Sequence, residues 1–291
     1  MMPYSDLFAA FRWWAALMII GAAATPLTFF LFRRLPDRGY AFVKLVGLLI
    51  VSYLFWLLGS LGFLGNNLGG ILFALLILIS LSVWAITRLM QPKVADDETF
   101  RLQDYKSQII ITELIFAVLF AVWVWVRAQN PAISATEKPM EFAFLNGIGR
   151  SDAFPPVDPW LSGFAISYYY FGYVMVSVLA RVTAVSEPIA FNLAIAWLVA
   201  GTGTAAFGLV YNLVMGLNRR DAEDAEEDDS EEEFTLLVLD PDDNYHAPKL
   251  SALSRQRRLA LVLGLIAAIA LPIAGNLEIG LEVLHASGAG S

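Results

Sequence analysis

Cysteine is absent from this chain of 291 residues, and histidine occurs only twice. The absence of cysteine excludes disulfides, thiolate metal sites and a cysteine nucleophile. Two histidines are too few for a histidine-rich zinc site. Charged residues make up only 16% of the chain, whereas 58% of it is hydrophobic, more than a soluble core of this length would hold. Composition therefore predicts an integral membrane protein in contact with the lipid bilayer.

The net charge of −8 comes mostly from one acidic run, DAEDAEEDDSEEE at residues 221–233. Because this excess is local and acidic, it gives no reason to expect a nucleic-acid partner. The run has little apolar content and repels itself. We therefore predict a disordered cytoplasmic loop at residues 218–248 that acts as a solubilising tether, with docking of a basic partner as the alternative.

Six apolar runs are long enough to cross about 30 Å of hydrocarbon at ~1.5 Å per helical residue. They cover residues 7–32, 43–64, 70–87, 108–126, 189–217 and 259–274. The first run lacks a basic start, which indicates a retained helix rather than a signal peptide. The predicted fold class is all-α, a polytopic transmembrane bundle in the cell membrane with about six spanning helices. A seventh run, residues 164–180, is ambiguous.

The distribution of lysine and arginine decides how the seventh run is interpreted. If it crosses the membrane, strict alternation places nine of these residues inside and ten outside. If it lies in the interface or re-enters, the division becomes fourteen inside and five outside. The positive-inside rule favours the second arrangement. We therefore predict an outer amino terminus and one outer loop, residues 128–188, containing an interfacial or re-entrant helix.

The outer loop holds most of the reactive side chains of the sequence. Between residues 137 and 173 it carries four carboxylates and two cations: Glu137, Glu141, Asp152, Asp158, Lys138 and Arg150. A spacing of four residues puts Glu137 and Glu141 one turn apart if the segment is helical. Either glutamate could serve as a general base, and the alternative is that both are solvated charges or pair with Lys138 and Arg150.

Four strings in this half of the chain carry a resemblance to a known family. They are TEKPMEFAFLNGIGRS, FPPVDPW, ISYYYFGY and AGNLEIGLEVL. They resemble the YYY family of multi-pass membrane proteins, and the likeness runs from about residue 31 to residue 284. That family is similar in turn to the GT-C glycosyltransferases, membrane enzymes that move a sugar from a polyprenyl phosphate onto an acceptor. Those enzymes use an acidic residue in the first large outer loop.

The resemblance implies a GT-C-like glycosyltransferase with a polyprenyl-phosphate sugar donor at the outer face. The catalytic acid would be Glu137 or Glu141, with Lys138 or Arg150 at the phosphate. The family often has aspartate at the second glutamate position, so the side chain of Glu141 is longer than that of the family's aspartate. Residues 1–107 would be three additional helices, and residues 108–291 the start of the GT-C-like core. The chain is expected to be an amino-terminal portion of a longer family member.

Three further groups belong to this expectation. Asp152 and Asp158 flank the FPPV turn and could share a divalent cation such as Mg²⁺ or Mn²⁺, although aspartate near proline is foremost a turn former. The tyrosines of the triplet could line a groove for the lipid or stack on a sugar, or form an interfacial belt; they are Tyr168, Tyr169 and Tyr170. Asn276 and Glu278 would face the same outer compartment.

Two functions from other classes compete with this hypothesis. A transporter or flippase of a lipid-linked substrate would need a polar path, yet four of the six runs carry no charge in their apolar cores. A non-catalytic assembly subunit would tolerate glutamine at residues 137 and 141. Charges inside the runs are functional candidates by default. Arg12 and Glu113 are such charges, and the alternative is that both reach the nearest interface.

Overall fold

The structure is a computed structural model that describes residues 4–90, 105–134, 136–233 and 247–274. Eight α-helices follow one another within these residues, with a 3₁₀ turn at Tyr40–Phe42. They are α1 (Tyr4–Leu31), α2 (Val43–Ser60), α3 (Leu68–Leu89), α4 (Lys106–Gln129), α5 (Lys138–Arg150), α6 (Phe171–Thr183), α7 (Glu187–Glu233) and α8 (Ala247–Ala274). The described part contains one isolated antiparallel bridge, Val157 to Ala165, and no named strand.

Six of the helices are long and apolar enough to cross a membrane, which confirms the predicted polytopic all-α bundle. The spanning segments are Ser5–Leu31, Tyr40–Ser60, Leu68–Leu89, Lys106–Gln129, Glu187–Gly216 and Arg255–Ala274. Each coincides with a predicted apolar run to within a few residues. The agreement follows from the bilayer, because a helix needs about 20 apolar residues to cross it and must satisfy its backbone internally.

The spanning helices pack as two connected groups. Helices α1, α2 and α3 contact one another, and α7 joins α4 and α8. Small residues permit the closest approaches. A Cβ on Gly47 of α2 would lie 2.9 Å from the Ile20 carbonyl oxygen of α1, and one on Gly203 of α7 would lie 2.7 Å from the Ala268 carbonyl oxygen of α8. Close backbone approach at small residues is the usual way in which membrane helices associate.

Helix α6 covers the carboxyl-terminal half of the ambiguous seventh run, and it does not cross the bundle. With 13 residues it is about 20 Å long, less than the hydrocarbon thickness. The chain before and after it also returns to the same end. Arg127 near the end of α4 donates two hydrogen bonds to Asn192 near the start of α7, at 2.9 and 2.5 Å. We call this end of the bundle, with residues 61–67, 130–134 and 136–186, the loop end.

We call the opposite end the basic end. It contains residues 32–42, the start of α4, and the parts of α7 and α8 around Asn212 and Gln256. Asp37 donates its backbone N–H to Asn212 of α7 at 3.1 Å. Gln256 of α8 donates to the Val214 carbonyl at 3.1 Å, and Arg257 donates to Ser107 at the start of α4. These contacts join α4, α7 and α8 to residues 32–42, at the end of the bundle opposite the loop end.

The disorder expected for the acidic loop, residues 218–248, stays a prediction. Helix α7 continues through the acidic run to Glu233, and residues 234–246 lie outside the described part. Alanine and glutamate have high helix propensity, and a run that extends an existing helix needs no new nucleus. Helix propagation therefore accounts for the helical run despite its charge.

Candidate functional site

Helix α5 carries the two glutamates and is anchored to the bundle at its far end. It begins one residue after Glu137, with a proline in its first turn, and the Glu141 N–H donates to the Glu137 carbonyl at 3.0 Å. The segment is therefore helical, and the two carboxylates lie one turn apart. At the other end Asn66, which is buried, donates to the carbonyls of Ile148 and Ser151, both at 2.7 Å. These bonds tie α5 to the turn between α2 and α3.

Two of the three tyrosines lie beside the face of α5 that carries the glutamates. Tyr168 stacks on the buried ring of Phe144, with centroids 5.3 Å apart and an interplanar angle of 20°. Tyr169 lies against Tyr168, with centroids 4.3 Å apart. Tyr173 is in the first turn of α6, and the centroid of its ring lies 5.9 Å from the centroid of the Phe144 ring. Because Phe144 follows Glu141 by three residues, its ring brings these tyrosines to the helix face that carries the carboxylates.

Charge connects the tyrosines to the glutamates. Burial first, and then the Glu141 carboxylate, raise the pKa of Tyr173 to about 12. Desolvation, followed by Tyr169 and Glu137, raises the pKa of Tyr168. Both hydroxyls therefore stay protonated at neutral pH and are able to donate a hydrogen bond to a ligand. We call this group the carboxylate–tyrosine cluster; its members are Glu137, Glu141, Tyr168, Tyr169 and Tyr173.

The third tyrosine of the triplet does not join the cluster. The Tyr170 hydroxyl accepts a hydrogen bond from the Trp56 indole N–H of α2 at 2.9 Å. The next residue, Phe171, packs edge-on against the same indole, with centroids 5.8 Å apart. Tyr170 therefore anchors the start of α6 to α2, and it leaves Tyr168 and Tyr169 on the surface, where the Tyr169 side chain is 81% exposed.

The structure separates the two cations that were predicted to bind phosphate. Lys138 and Arg150 are the first and last residues of α5, twelve residues apart. At ~1.5 Å per residue their Cα atoms are about 18 Å apart along the helix axis. Lys138 lies beside the carboxylate–tyrosine cluster, whereas Arg150 lies at the far end with Asp152. The chain therefore offers Lys138, and not Arg150, to a ligand at the glutamates.

The two aspartates take part in backbone contacts. The Asp158 carboxylate accepts the backbone N–H groups of Trp160 and Leu161, at 2.8 and 2.9 Å, so it closes a turn. Asp152 accepts the Asn66 N–H on its carbonyl at 2.8 Å. Among the described residues, no three histidine, aspartate or glutamate side chains come close enough to share an ion. The metal role of the two aspartates stays a prediction.

A polar pocket behind α5 was not expected from the sequence. It has a volume of about 390 Å³, and its polar lining includes Ser177, Arg181 and Glu187. The Arg181 guanidinium donates to the Gly149 carbonyl at 2.9 Å. Burial lowers the pKa of Arg181, while Glu187 and Asp152 act in the opposite direction. An arginine directly after an apolar run was the available signal, although its partners come from separate segments.

Glu113, a candidate from its position inside an apolar run, is paired within the bundle. Its carboxylate lies 2.5 Å from the Lys44 ammonium and accepts the Tyr40 hydroxyl at 2.8 Å. The Lys44 side chain is only 5% exposed and also lies over the Phe116 ring, 4.8 Å from its centroid. This group belongs to the basic end. Glu113 is therefore separate from the carboxylate–tyrosine cluster.

The last pair of predicted site residues, Asn276 and Glu278, lies outside the described residues, which end at Ala274.

Comparison with curated proteins and with solved structures gave no match. The model of the uncharacterized membrane protein family DUF2298 matches residues 50–291, so this integral, multi-pass membrane protein belongs to that family.

Proposed function

We propose that the chain carries the sugar-transfer site of a GT-C-like membrane glycosyltransferase, with a polyprenyl-phosphate-linked sugar as donor. The observation that carries this proposal is the carboxylate–tyrosine cluster, in which Phe144, three residues after Glu141, holds the exposed rings of Tyr168 and Tyr169 on the helix face of the carboxylates. Sugar hydroxyls donate to carboxylates, and the apolar faces of a sugar pack on aromatic rings. The likeness of TEKPME and ISYYYFGY to the YYY family supports the same assignment.

The proposed reaction assigns one role to each kind of group. Glu137 or Glu141 accepts the proton of the acceptor hydroxyl as its oxygen bonds to the anomeric carbon. The bond from that carbon to the phosphate oxygen breaks, and polyprenyl phosphate leaves with the electron pair. Lys138 is the cation nearest to the glutamates along α5, so it is the residue we assign to the departing phosphate.

The experiment is a donor-consumption assay on the full chain reconstituted in liposomes. Polyprenyl-phosphate-linked hexose, pentose and aminosugar are supplied in turn with a membrane extract as acceptor, and release of polyprenyl phosphate is measured. Glutamine at the catalytic glutamate is expected to reduce the rate by about 100-fold or more. The variants are Glu137→Gln and Glu141→Gln.

The matched control is Glu187→Gln, which removes a carboxylate from the polar pocket at the same end of the bundle. It is expected to keep the wild-type rate to within a factor of about three, because a neutral change away from the reacting atoms has a small effect. No release from any donor, or release that neither glutamine variant reduces, would overturn the proposal. Equal loss in the control would trace the defect to folding rather than to chemistry.

A further inference from the structure

Arg12 is a cation inside a spanning segment for which the described residues provide no counter-charge. It lies eight residues after Tyr4 in α1, about 12 Å along the helix axis. Its guanidinium lies 5.1 Å from the centroid of the Phe8 ring. Its Nε atom is inaccessible to solvent and has no hydrogen-bond partner, and the described part of the chain contains one salt bridge, which is Lys44 to Glu113. Within the described ranges, the positive charge of Arg12 therefore has no ion-pair partner.

Two other cations in this half of the bundle, Arg127 and Arg181, differ from Arg12 in having polar partners. Arg127 donates to Asn192, and Arg181 donates to the Gly149 carbonyl. Asp6 is the carboxylate closest to Arg12 along α1, but six residues at 100° each place it about 120° around the helix. Asp6 lines a separate cavity of about 790 Å³ beside Arg127. Because an unpaired cation in the membrane is costly, a counter-ion from beyond the described residues would stabilise Arg12.

The space beside Arg12 is an apolar groove between α1, α3 and α6. Its volume is about 300 Å³, and its lining includes Ile19, Leu75 and Val182. The side chains of Phe8, Phe11 and Ile19 are each more than half exposed, so this side of α1 faces the lipid. Ile19 lies about two turns deeper than Arg12. The groove therefore presents a cation near the loop end and an apolar track that runs toward the middle of the bilayer.

We propose that this groove binds an anionic membrane phospholipid, with its phosphate on the Arg12 guanidinium and one acyl chain along Ile19 and Leu75. The charge complementarity and the continuous apolar lining carry the assignment. An anionic headgroup supplies the missing counter-charge, and a charge-assisted bond between guanidinium and phosphate is strong at a partly dehydrated site. The lipid site does not depend on the proposed glycosyl transfer, because none of its residues belongs to the carboxylate–tyrosine cluster.

Native mass spectrometry of the detergent-solubilised full chain, titrated with phosphatidylglycerol, tests the site. The wild type is expected to retain one lipid at low lipid excess. Arg12→Gln should weaken that first binding event by about tenfold, because it removes a charge-assisted contact. Arg34→Gln is the matched control, since it removes the same charge from an exposed position in the loop after α1. Retention equal to the wild type in Arg12→Gln would overturn the proposal.

A second variant tests the groove without touching the charge. Ala15 lines the groove one turn after Arg12, and Ala15→Leu adds three carbon atoms to that space. It is expected to reduce phosphatidylglycerol retention while Arg12 remains, and Ala15→Ser, of nearly unchanged size, is expected to retain it. Equal retention of uncharged diacylglycerol would show adsorption to the apolar surface. Binding of inorganic phosphate with no lipid would show a bare anion contact. Either result would overturn the lipid assignment.

Discussion

At the basic end, Lys44, Glu113 and Tyr40 form a compact group in which one carboxylate oxygen receives both the ammonium and the hydroxyl. At the loop end, Glu137 is exposed, Glu141 is half-buried, and neither forms a salt bridge within the described residues. Both regions contain carboxylates and tyrosines. In the first group all three residues are held by contacts between spanning segments, whereas the second group leaves oxygens and ring faces open to a ligand.

The difference separates a structural use of charge from a binding use. A buried ion pair that joins two helices contributes to their mutual position, and removal of one partner leaves the other as an uncompensated buried charge. An exposed carboxylate contributes little to stability and remains free to accept a hydrogen bond from a ligand. We therefore expect mutations at the basic end to act on stability and mutations at the loop end to act on function.

The largest expected effect concerns the sides of the membrane on which the two ends lie. The chain has no cysteine, so single cysteines can be introduced without further changes. Cysteines at Ser162 and Ser186 of the loop end should react with an impermeant maleimide in intact cells, and a cysteine at Arg34 should react only after permeabilisation. The expectation rests on the lysine and arginine excess at the basic end.

Labelling in gels, before and after permeabilisation, gives the answer directly. Protection at residue 186 with reaction at residue 162 would mean that the intervening chain crosses the membrane. Reaction only at residue 34 would reverse the whole orientation and place the carboxylate–tyrosine cluster in the cytoplasm.

The next largest effect is expected at the buried ion pair. Lys44→Met leaves the Glu113 carboxylate without its cation and should lower the free energy of unfolding by about 3–5 kcal/mol. The double variant Lys44→Met/Glu113→Leu should recover a large part of that loss, because no uncompensated charge remains. Unfolding by sodium dodecyl sulfate in mixed micelles measures all three proteins. Glu141→Gln is the comparison at the loop end, with an expected change of about 1 kcal/mol or less.

A cost of Lys44→Met no larger than that of Glu141→Gln would remove the distinction between the two ends. A double variant less stable than Lys44→Met would show that packing around the pair, and not its charge, dominates.

Asp37 should give an intermediate effect with a diagnostic pH dependence. Its buried carboxylate accepts the N–H groups of Gly39 at 2.7 Å and Ala41 at 3.3 Å, and burial raises the pKa of Asp37 above its usual range. Asp37→Ala should therefore cost about 1–3 kcal/mol, because two buried donors lose their acceptor. The protonated form of Asp37 is favoured in the folded protein. The contribution of Asp37 to the free energy of unfolding is therefore greatest below the ordinary aspartate pKa and declines as pH rises through the raised pKa.

Thermal unfolding in detergent from acid to neutral pH measures this dependence. Asp37→Asn keeps an acceptor for Gly39 and cannot ionise, so it should lose less stability than the wild type over the same interval. A parallel pH dependence in the two proteins would contradict the assignment to Asp37.

The sequence was sufficient for the parts of the fold that the bilayer dictates. The apolar runs predicted all six spanning segments, and α6 is too short to cross a bilayer, in line with the arrangement that the charge rule favoured. The spacing of Glu137 and Glu141 was correctly read as one helical turn. These features depend on local composition, periodicity or simple charge counts, all of which a single sequence displays.

Partners from distant segments were not predictable in the same way. Lys138 and Arg150 are close in sequence, yet a straight helix holds them apart. Glu113 and Lys44 are 69 residues apart but meet through the packing of α4 against the start of α2. Arg181 meets α5 through the pocket behind that helix. Such contacts depend on the rotation and depth of each helix, which apolar patterning specifies only loosely when lipid surrounds most of the bundle.

The smallest effect concerns the influence of the Glu141 charge on the pKa of Tyr173, and it tests the cluster directly. Burial and the Glu141 charge raise the pKa of Tyr173 from 10.0 to about 12, because a nearby negative charge disfavours the phenolate. Glu141→Gln should therefore lower the pKa of Tyr173 only part of the way toward 10.0, since the contribution from burial remains. Titration of tyrosine labelled with ¹³C at the ring carbon that bears the hydroxyl, assigned with Tyr173→Phe, measures the shift.

Glu187→Gln, at the other pocket, should leave the Tyr173 titration unchanged, and an equal shift in that variant would show a general loosening of the loop end. The two glutamates are distinguished as candidate bases by their own variants. The glutamate whose change to glutamine reduces sugar transfer by about 100-fold or more is the base, and the variant of the other glutamate should keep most of the rate.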